Sequence, residues 1–393
     1  SHYIRKRDFM KLSKRMVYSL VSLLTIGISW QVASCISADE VDTNIVASGV
    51  SQGQMDSMSS EQSIGTANET NQLPSSNPGT SSDFDSSGYG ADLPYTVYEA
   101  ENGQLDNGAR EQFSFDMEST AIEASYQKYV ELPNQGSSVS FQAEEPANAI
   151  NIRYTIPDGT SGQVGVAVNG NTVANIDLSS TSSWQYLEGD VEHDTPTAQS
   201  KARFRFDEAR MLLDGTQINV GDTVTLVKKW NDTTPYGIDL IELEQVNGPI
   251  EQPANAISIT SKGAIANDDI DDSQALIAAI NEAKMTGKDV YIPAGRFNLD
   301  RKIGVDASNL KISGAGVWYT HLHFTSDQIG GGGFEFNHND NAIEMSDLFM
   351  DSNLTSRYRE AAQYKAIAGT LGKNSYIHDI WEQHFEVGMW IGD

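Results

Sequence analysis

The sequence predicts an all-β protein, an antiparallel β-sandwich followed by a parallel β-helix, and three observations carry that prediction. Between Leu93 and Val246 about eight short β runs follow one another. Several alternate apolar and polar residues, as in Ile150-Asn151-Ile152-Arg153-Tyr154, and turn signals such as Pro157-Asp158-Gly159-Thr160 separate them. From Asp289 to Phe324 the β runs are shorter still and are divided by Gly-containing turns at Gly295, Gly314 and Gly316. Directly before that stretch, Ala275, Leu276, Ala279, Ile280 and Ala283 recur at helical spacing within Gln274 to Met285, which suits a helix laid over the open first coil of a β-helix.

The amino-terminal residues read as an address. Arg5, Lys6, Arg7, Lys11, Lys14 and Arg15 precede an apolar run from Val17 to Trp30 that is short for a membrane span and suits a signal peptide. The run ends in Val32-Ala33-Ser34-Cys35, and Cys35 is the single cysteine, so no intramolecular disulfide can form. This stretch resembles a bacterial lipobox. The resemblance implies cleavage before Cys35, lipidation of its thiol and anchoring to a membrane face of the cell envelope. Ordinary signal cleavage at the same bond with secretion, or an uncleaved anchor, are the alternatives. Residues 36–92 are dominated by Ser, Gly, Asn, Asp and Thr and contain no Lys or Arg, so they bury too little to fold and read as a solvated tether.

The first folded unit covers 93–246. Its expected strands are Tyr95 to Ala100, Lys128 to Leu132, Ser137 to Phe141, Ala149 to Tyr154, Val164 to Val168, Ala202 to Phe206, Thr223 to Val227 and Ile238 to Glu244. Residues 247–255, with Pro249 and Pro253, form a linker. In 256–393, Asp272 or Ser273 should cap the helix and Gly287 stop it. Beyond the helix, β segments at Val290 to Ile292, Leu310 to Ser313, Ala342 to Met345 and Ser375 to Ile377 recur every 20 to 25 residues or so, a solenoid period giving about five or six coils. The last residues, Trp390-Ile391-Gly392-Asp393, carry no terminating cap, which predicts that coils continue past them and that the β-helix here is an amino-terminal portion.

Charge narrows the ligand. With 26 Lys plus Arg against 54 Asp plus Glu the net charge is −28, which excludes nucleic acid and disfavours pectin or alginate unless a cation bridges them. A neutral glycan fits better, because parallel β-helices commonly offer a groove for extended polysaccharides. No protein partner is implied.

Tyr98-Glu99-Ala100-Glu101 near the start of the first unit and Ile238-Asp239-Leu240 near its end both place carboxylates on strands with apolar neighbours. The unit resembles the jelly-roll carbohydrate-binding modules of the family 6 and family 35 type. That resemblance implies a structural Ca2+ held by Glu99, Glu101 and Asp239, a set of hard oxygen ligands. Solvent-facing strand positions are the alternative. Sugars stack on exposed rings, and the candidates are Trp184 and Tyr186 after a Ser/Thr-rich turn, Tyr126 with Tyr129 at a strand entry, and Trp230 in the loop before the last strand.

In the second unit, Tyr291-Ile292-Pro293-Ala294-Gly295 resembles the right-handed, pectate-lyase-like β-helices. Residues Ile312 to Tyr319, Gly330 to Phe334, Ser352-Asn353-Leu354, Trp381 to Phe385 and Gly388 to Asp393 together resemble the α-1,3-glucanases and mycodextranases of glycoside hydrolase family 87. The resemblance implies inverting hydrolysis of α-1,3-glucosidic bonds, with an acid and a base roughly 6.5 to 9.5 Å apart. Family members carry three catalytic aspartates on coils after the motif matching Gly388 to Asp393. None has a counterpart in this sequence, so no catalytic residue transfers, and the chain alone is expected to be inactive. Trp390 and Asp393 are candidates for the start of a substrate groove. Asp379, Glu382 and Glu386 read as a solvated acidic face, and Asp268, Asp269, Asp271 and Asp272 as the electrostatic complement of a helix start. Two rivals remain: a non-catalytic glycan-binding lipoprotein, and another β-helix enzyme such as a polygalacturonase, dextranase or lyase.

Overall fold

A computed structural model describes residues 93–182, 184–186, 202–326, 331–337, 341–354 and 364–392, all within one compact unit. The signal segment with Cys35, the tether 36–92 and Asp393 lie outside the described residues.

Thirteen strands build the antiparallel part: β1 (Tyr95–Glu99), β2 (Gln104–Asp106), β3 (Arg110–Phe113), β4 (Lys128–Leu132), β5 (Ser138–Gln142), β6 (Ala149–Thr155), β7 (Ser161–Val168), β8 (Asn171–Ser179), β9 (Trp184–Tyr186), β10 (Ala202–Phe204), β11 (Asp207–Leu212), β12 (Thr223–Lys228) and β13 (Tyr236–Glu244). One sheet has the order β11-β6-β13-β4-β3 with β1 also on β13, and the other the order β2-β5-β12-β7-β8. Every pairing is antiparallel, and β9 and β10 form a separate two-stranded piece. The alternation read from sequence is what closes the two sheets on one another. Ile150, Ile152 and Tyr154 of one sheet share a core with Val164, Val166, Val224 and Leu226 of the other. Pattern reading missed β2, β3, β8, β9 and β11. β2, β3 and β11 are short or edge strands with mostly polar, partly exposed residues, and β8 is polar and exposed over its first half.

The stretch 247–255 is no free linker. Ile250 donates its N–H to the Ala315 carbonyl at 2.9 Å, and Tyr319 Oη donates to the Asn247 carbonyl at 2.6 Å, so the connection is laid onto the second part. That part opens with β14 (Ala256–Ser258) and α1 (Ser273–Thr286). All five apolar positions of α1 are buried against the first coil, and Gly287 stops the helix in the left-handed conformation at φ 67°. Asp272 occupies the cap position without a side-chain cap bond. Its carboxylate accepts from Ile265 N–H, and Asp271 accepts from Ser273 N–H in its stead.

The coils follow: β15 (Asp289–Ile292), β16 (Gly295–Leu299), β17 (Ile303–Val305), β18 (Leu310–Gly314), β19 (Thr320–Phe324), β20 (Phe334–Phe336), β21 (Ile343–Ser352), β22 (Lys365–Gly369), β23 (Tyr376–Glu382) and β24 (Val387–Ile391). All pair in parallel, in a seven-stranded sheet that continues from β14-β15-β18-β21 round to β19-β16 with β23 alongside, and a four-stranded sheet β17-β20-β22-β24. Phe297, Leu322, Phe324, Phe334, Met350 and Ile367 fill the interior. The seven-stranded sheet stacks five strands in succession, β14-β15-β18-β21-β23, against the five or six coils expected from the sequence period. Cross-coil bonds span 22 residues early, from Lys311 to Asp289, but 33 and 32 later, from Asn341 to Ser308 and from Ile343 to Ser375.

Candidate functional site

The second sheet face, formed by β16, β19, the end of β21 and the end of β23, brings chemistry-bearing side chains into register. Strand alternation sends every second residue outward, and parallel pairing stacks like positions of successive coils. One outward ladder runs Arg296, His321, Phe349, Trp381, and its neighbour runs Asn298, His323, Asp351. His321 Nε2 and His323 Nδ1 each lie 2.6 Å from Asp351 Oδ1. Burial pushes the Asp351 carboxyl up, but the two imidazole bonds outweigh it and hold the group well below the usual carboxylate range.

Beside these ladders the antiparallel part docks through its edge strand β11. Arg210 is inserted among three rings, its guanidinium carbon 4.3 Å from the Trp318 centroid, 4.5 Å from Phe349 and 4.1 Å from Trp381, and it donates to the Val317 carbonyl. His384 Nε2 contacts the Asp207 carboxylate at 2.9 Å, and Gln383 Nε2 donates to the Glu208 carbonyl at 3.2 Å. Burial alone would lower the His384 value, yet the Asp207 carboxylate raises it to about 9. Glu382 is not part of a solvated acidic face. It stands in register with buried Met350, Oε1 is fully buried with no hydrogen-bond partner, and burial pushes the carboxyl up to about 8.

In the antiparallel part the three expected calcium ligands have divergent settings. Glu99 Oε2 and Glu101 Oε2 are buried without hydrogen-bond partners. Burial raises Glu99 to about 7, with further upward pressure from the charges of Asp239 and Glu101. These two oxygens fit a hard cation. Asp239 is fully buried and already engaged by the Arg153 guanidinium and by Ser125 N–H at 2.9 Å. Its charge is matched from within the protein.

Two of the predicted aromatic platforms, Tyr126 and Trp230, lie on separate segments of the chain. Tyr126 is exposed beside this acid group, at positive φ, while Trp230 is partly exposed on the loop after β12. Trp184 and Tyr186 sit on β9, and their side chains lie outside the described residues. A cleft of about 370 Å³ is lined instead by Tyr129, Glu131, Asp158, Phe204, Arg205 and Tyr236 among others. Trp390 is 60% exposed on β24, with Lys365 Nζ 5.6 Å from its ring centroid. The alternation His321-Leu322-His323 was the visible signal for the histidine pair. Asp351 and Arg210 were hidden because their partners depend on coil length and on docking.

An antiparallel sandwich docked by an edge strand onto parallel coils defines the class, a two-part, mostly β unit. Residues 92–246 match a family model described as alpha-1,3-glucanase catalytic domain D1, and residues 268–392 match one described as alpha-1,3-glucanase catalytic domain D2. The chain therefore carries the D1 and D2 domains of the glycoside hydrolase family 87 alpha-1,3-glucanases, and the sandwich expected to be a separate binding module matches as part of the catalytic unit. Among solved structures it is similar to the Agl-KA catalytic domain, with 38% identity, a TM-score of 0.71, and coverage of 77% of this chain and 55% of that one. The catalytic unit of a thermostable family 87 α-1,3-glucanase from Streptomyces thermodiastaticus strain HF3-3 gives 29% identity, a TM-score of 0.65, and coverage of 77% and 52%. A family 87 α-1,3-glucanase catalytic domain in complex with nigerose gives 26%, 0.64, and coverage of 77% and 53%. This chain spans about half the length of these structures. No curated protein sequence matches it.

Proposed function

We propose that this chain supplies the D1 and D2 part of an inverting α-1,3-glucan hydrolase, with acid and base aspartates carried by coils that follow the motif at Gly388 to Asp393. The observation that carries this reading is the pair of family matches, D1 and D2 in order on one chain. The nigerose complex of a relative supports a gluco-oligosaccharide as ligand, and a net charge of −28 suits a neutral glycan. In this reading D1 is a jelly-roll unit fixed to a right-handed β-helix, and Trp390, exposed on β24, begins the groove. The chain alone should bind insoluble α-1,3-glucan without releasing sugar. A form continuing into the next coils should release glucose oligomers of inverted anomeric configuration from α-1,3-glucan, but none from dextran or pectin. Release from either of those in preference would overturn the substrate assignment.

Two further features belong to the same reading. Glu99 and Glu101 would hold a Ca2+ that fastens the start of the sandwich, with Asp239 kept in its ion pair. Adding Ca2+ to chelator-treated protein should raise its melting temperature, and the rise should vanish in Glu99→Gln. Lipidation of Cys35 would anchor the protein to the bacterial envelope, and metabolic labelling with a fatty acid should be lost in Cys35→Ser. Among the described residues no helix is long and apolar enough to cross a membrane.

A further inference from the structure

His321 and His323 stand two residues apart on β19, so both rings leave the same face of the sheet. Asp351 of β21 lies opposite His323 one coil on, and Asn298 of β16 lies opposite it one coil back. The simplest account is a hydrogen-bonded clamp, one carboxylate oxygen contacted by two imidazoles. Three observations carry the arrangement further. Among the described residues this is the one group of three His, Cys, Asp or Glu side chains whose ligand atoms all lie within 4.8 Å of one another. A tetrahedral ion with bonds of about 2.0 to 2.2 Å places its ligands roughly 3.3 to 3.5 Å apart. Each imidazole nitrogen, now 2.6 Å from Asp351 Oδ1, would have to retreat by less than about 1 Å, which small side-chain rotations supply. Finally, Asn298 Oδ1, on the ladder position next to His323, is buried with no hydrogen-bond partner. An oxygen so placed is the type of acceptor that orients a metal-bound imidazole through its second N–H.

We propose that His321, His323 and Asp351 form a binding site for a divalent transition metal, Zn2+ foremost, with the remaining coordination position open to solvent. Two imidazoles and one carboxylate select borderline ions of this kind over Ca2+ or Mg2+, which take oxygen ligands. The side chains are 29%, 20% and 16% exposed, enough for an ion to enter from water and little enough for the ring positions to be fixed by packing. Phe349 supports the His321 ring at 4.7 Å between centroids. The ion would tie the β19 coil to the β21 coil beside the docking strand β11. The site is distinct from the oxygen-only pair Glu99 and Glu101, and it does not depend on glucan hydrolysis.

The test uses the full chain without added histidines, stripped by chelator and titrated with Co2+ and then Zn2+. The expected result is one equivalent of Co2+ with the visible absorption of a four- or five-coordinate ion, displaced by Zn2+. Two exchangeable, hyperfine-shifted imidazole N–H resonances should appear in the proton spectrum, one for each histidine. His323→Ala and Asp351→Asn should each weaken Zn2+ binding by at least about tenfold. His378→Ala, which removes an imidazole paired with Glu344 and Asp379, should leave it unchanged. Absence of a bound-Co2+ spectrum in the wild-type chain overturns the proposal whatever the variants do. Binding that survives Asp351→Asn and His323→Ala undiminished overturns it equally.

Discussion

Glu382 pairs in register with Met350, which pairs with Leu322 and through it with Phe297, so a carboxyl takes the fourth place in an otherwise apolar inward ladder. Its value of about 8 lies above the ordinary 4.5, and the neutral form is the one the fold accepts. The sign follows from linkage: this contribution is fully present below about 4.5 and is lost as pH rises through about 8. Glu382→Gln should therefore melt like the wild type at pH 5 and be the more stable of the two at pH 8.5, by roughly 1 to 2 kcal/mol. Equal destabilisation at both pH values would mean that the carboxyl makes a contact the amide cannot. Lys228 presents the converse case, a cation with no exposed surface whose charge is fully met. Its Nζ donates to the carbonyls of Pro133 and Asp232 at 3.1 Å, meets the Asp232 carboxylate at 2.9 Å and lies 4.8 Å from the Tyr236 ring centroid. Lys228→Met strands those acceptors and should cost about 3 to 5 kcal/mol in urea unfolding, disordering the loop that carries Trp230. Neither environment is written locally. Glu382 sits in a run that reads as polar strand, and Lys228 ends an alternating strand where an exposed head would be expected.

At the scale of elements, close approach between coils sets which glycines matter. Gly333 precedes β20 at φ +94°, and a Cβ there would stand 1.8 Å from the Lys365 carbonyl oxygen on the next coil. Gly304 in β17 has nothing within 4 Å of its would-be Cβ. Gly333→Ala should destabilise by 3 kcal/mol or more, roughly, and Gly304→Ala by less than about 0.5, a contrast that thermal melts of the two variants would display. No local pattern separates the two, because the atom that would meet a Cβ at Gly333 belongs to the next coil. The helix was legible throughout, because its apolar positions recur within one local period and its stop residue is adjacent. The coils were legible as strands, but their expected period of 20 to 25 residues holds only early, since cross-coil bonds lengthen from 22 residues to 33 and 32.

For the whole molecule, the joint between D1 and D2 is the decisive feature. Arg210 among Trp318, Phe349 and Trp381, together with the pair His384 and Asp207, joins strand β11 to the coils. Arg210→Ala should cost about 2 kcal/mol or more and raise amide exchange on both sides of the joint while the two cores stay protected, with Arg210→Lys recovering part of the loss. His384, raised to about 9 from an ordinary 6.5, contributes in full below about 6.5 and loses its hold as pH climbs through 9. Exchange at the joint should accordingly quicken between pH 8 and 10 in the wild type, and His384→Gln should show the quickened rate at pH 7 without that step. The sequence by itself determined the order of the two folds, the strand alternation, the covering helix and the resemblance to α-1,3-glucanases, because each depends on residues within a few positions of one another. Tertiary structure alone decided that 247–255 is hydrogen-bonded onto the coils rather than free, that Glu382 points inward, that Asp239 is spent on Arg153, and that His321, His323 and Asp351 meet. Those outcomes rest on register between coils and on docking between domains, where partners are tens to more than a hundred residues apart and no local pattern records the distance.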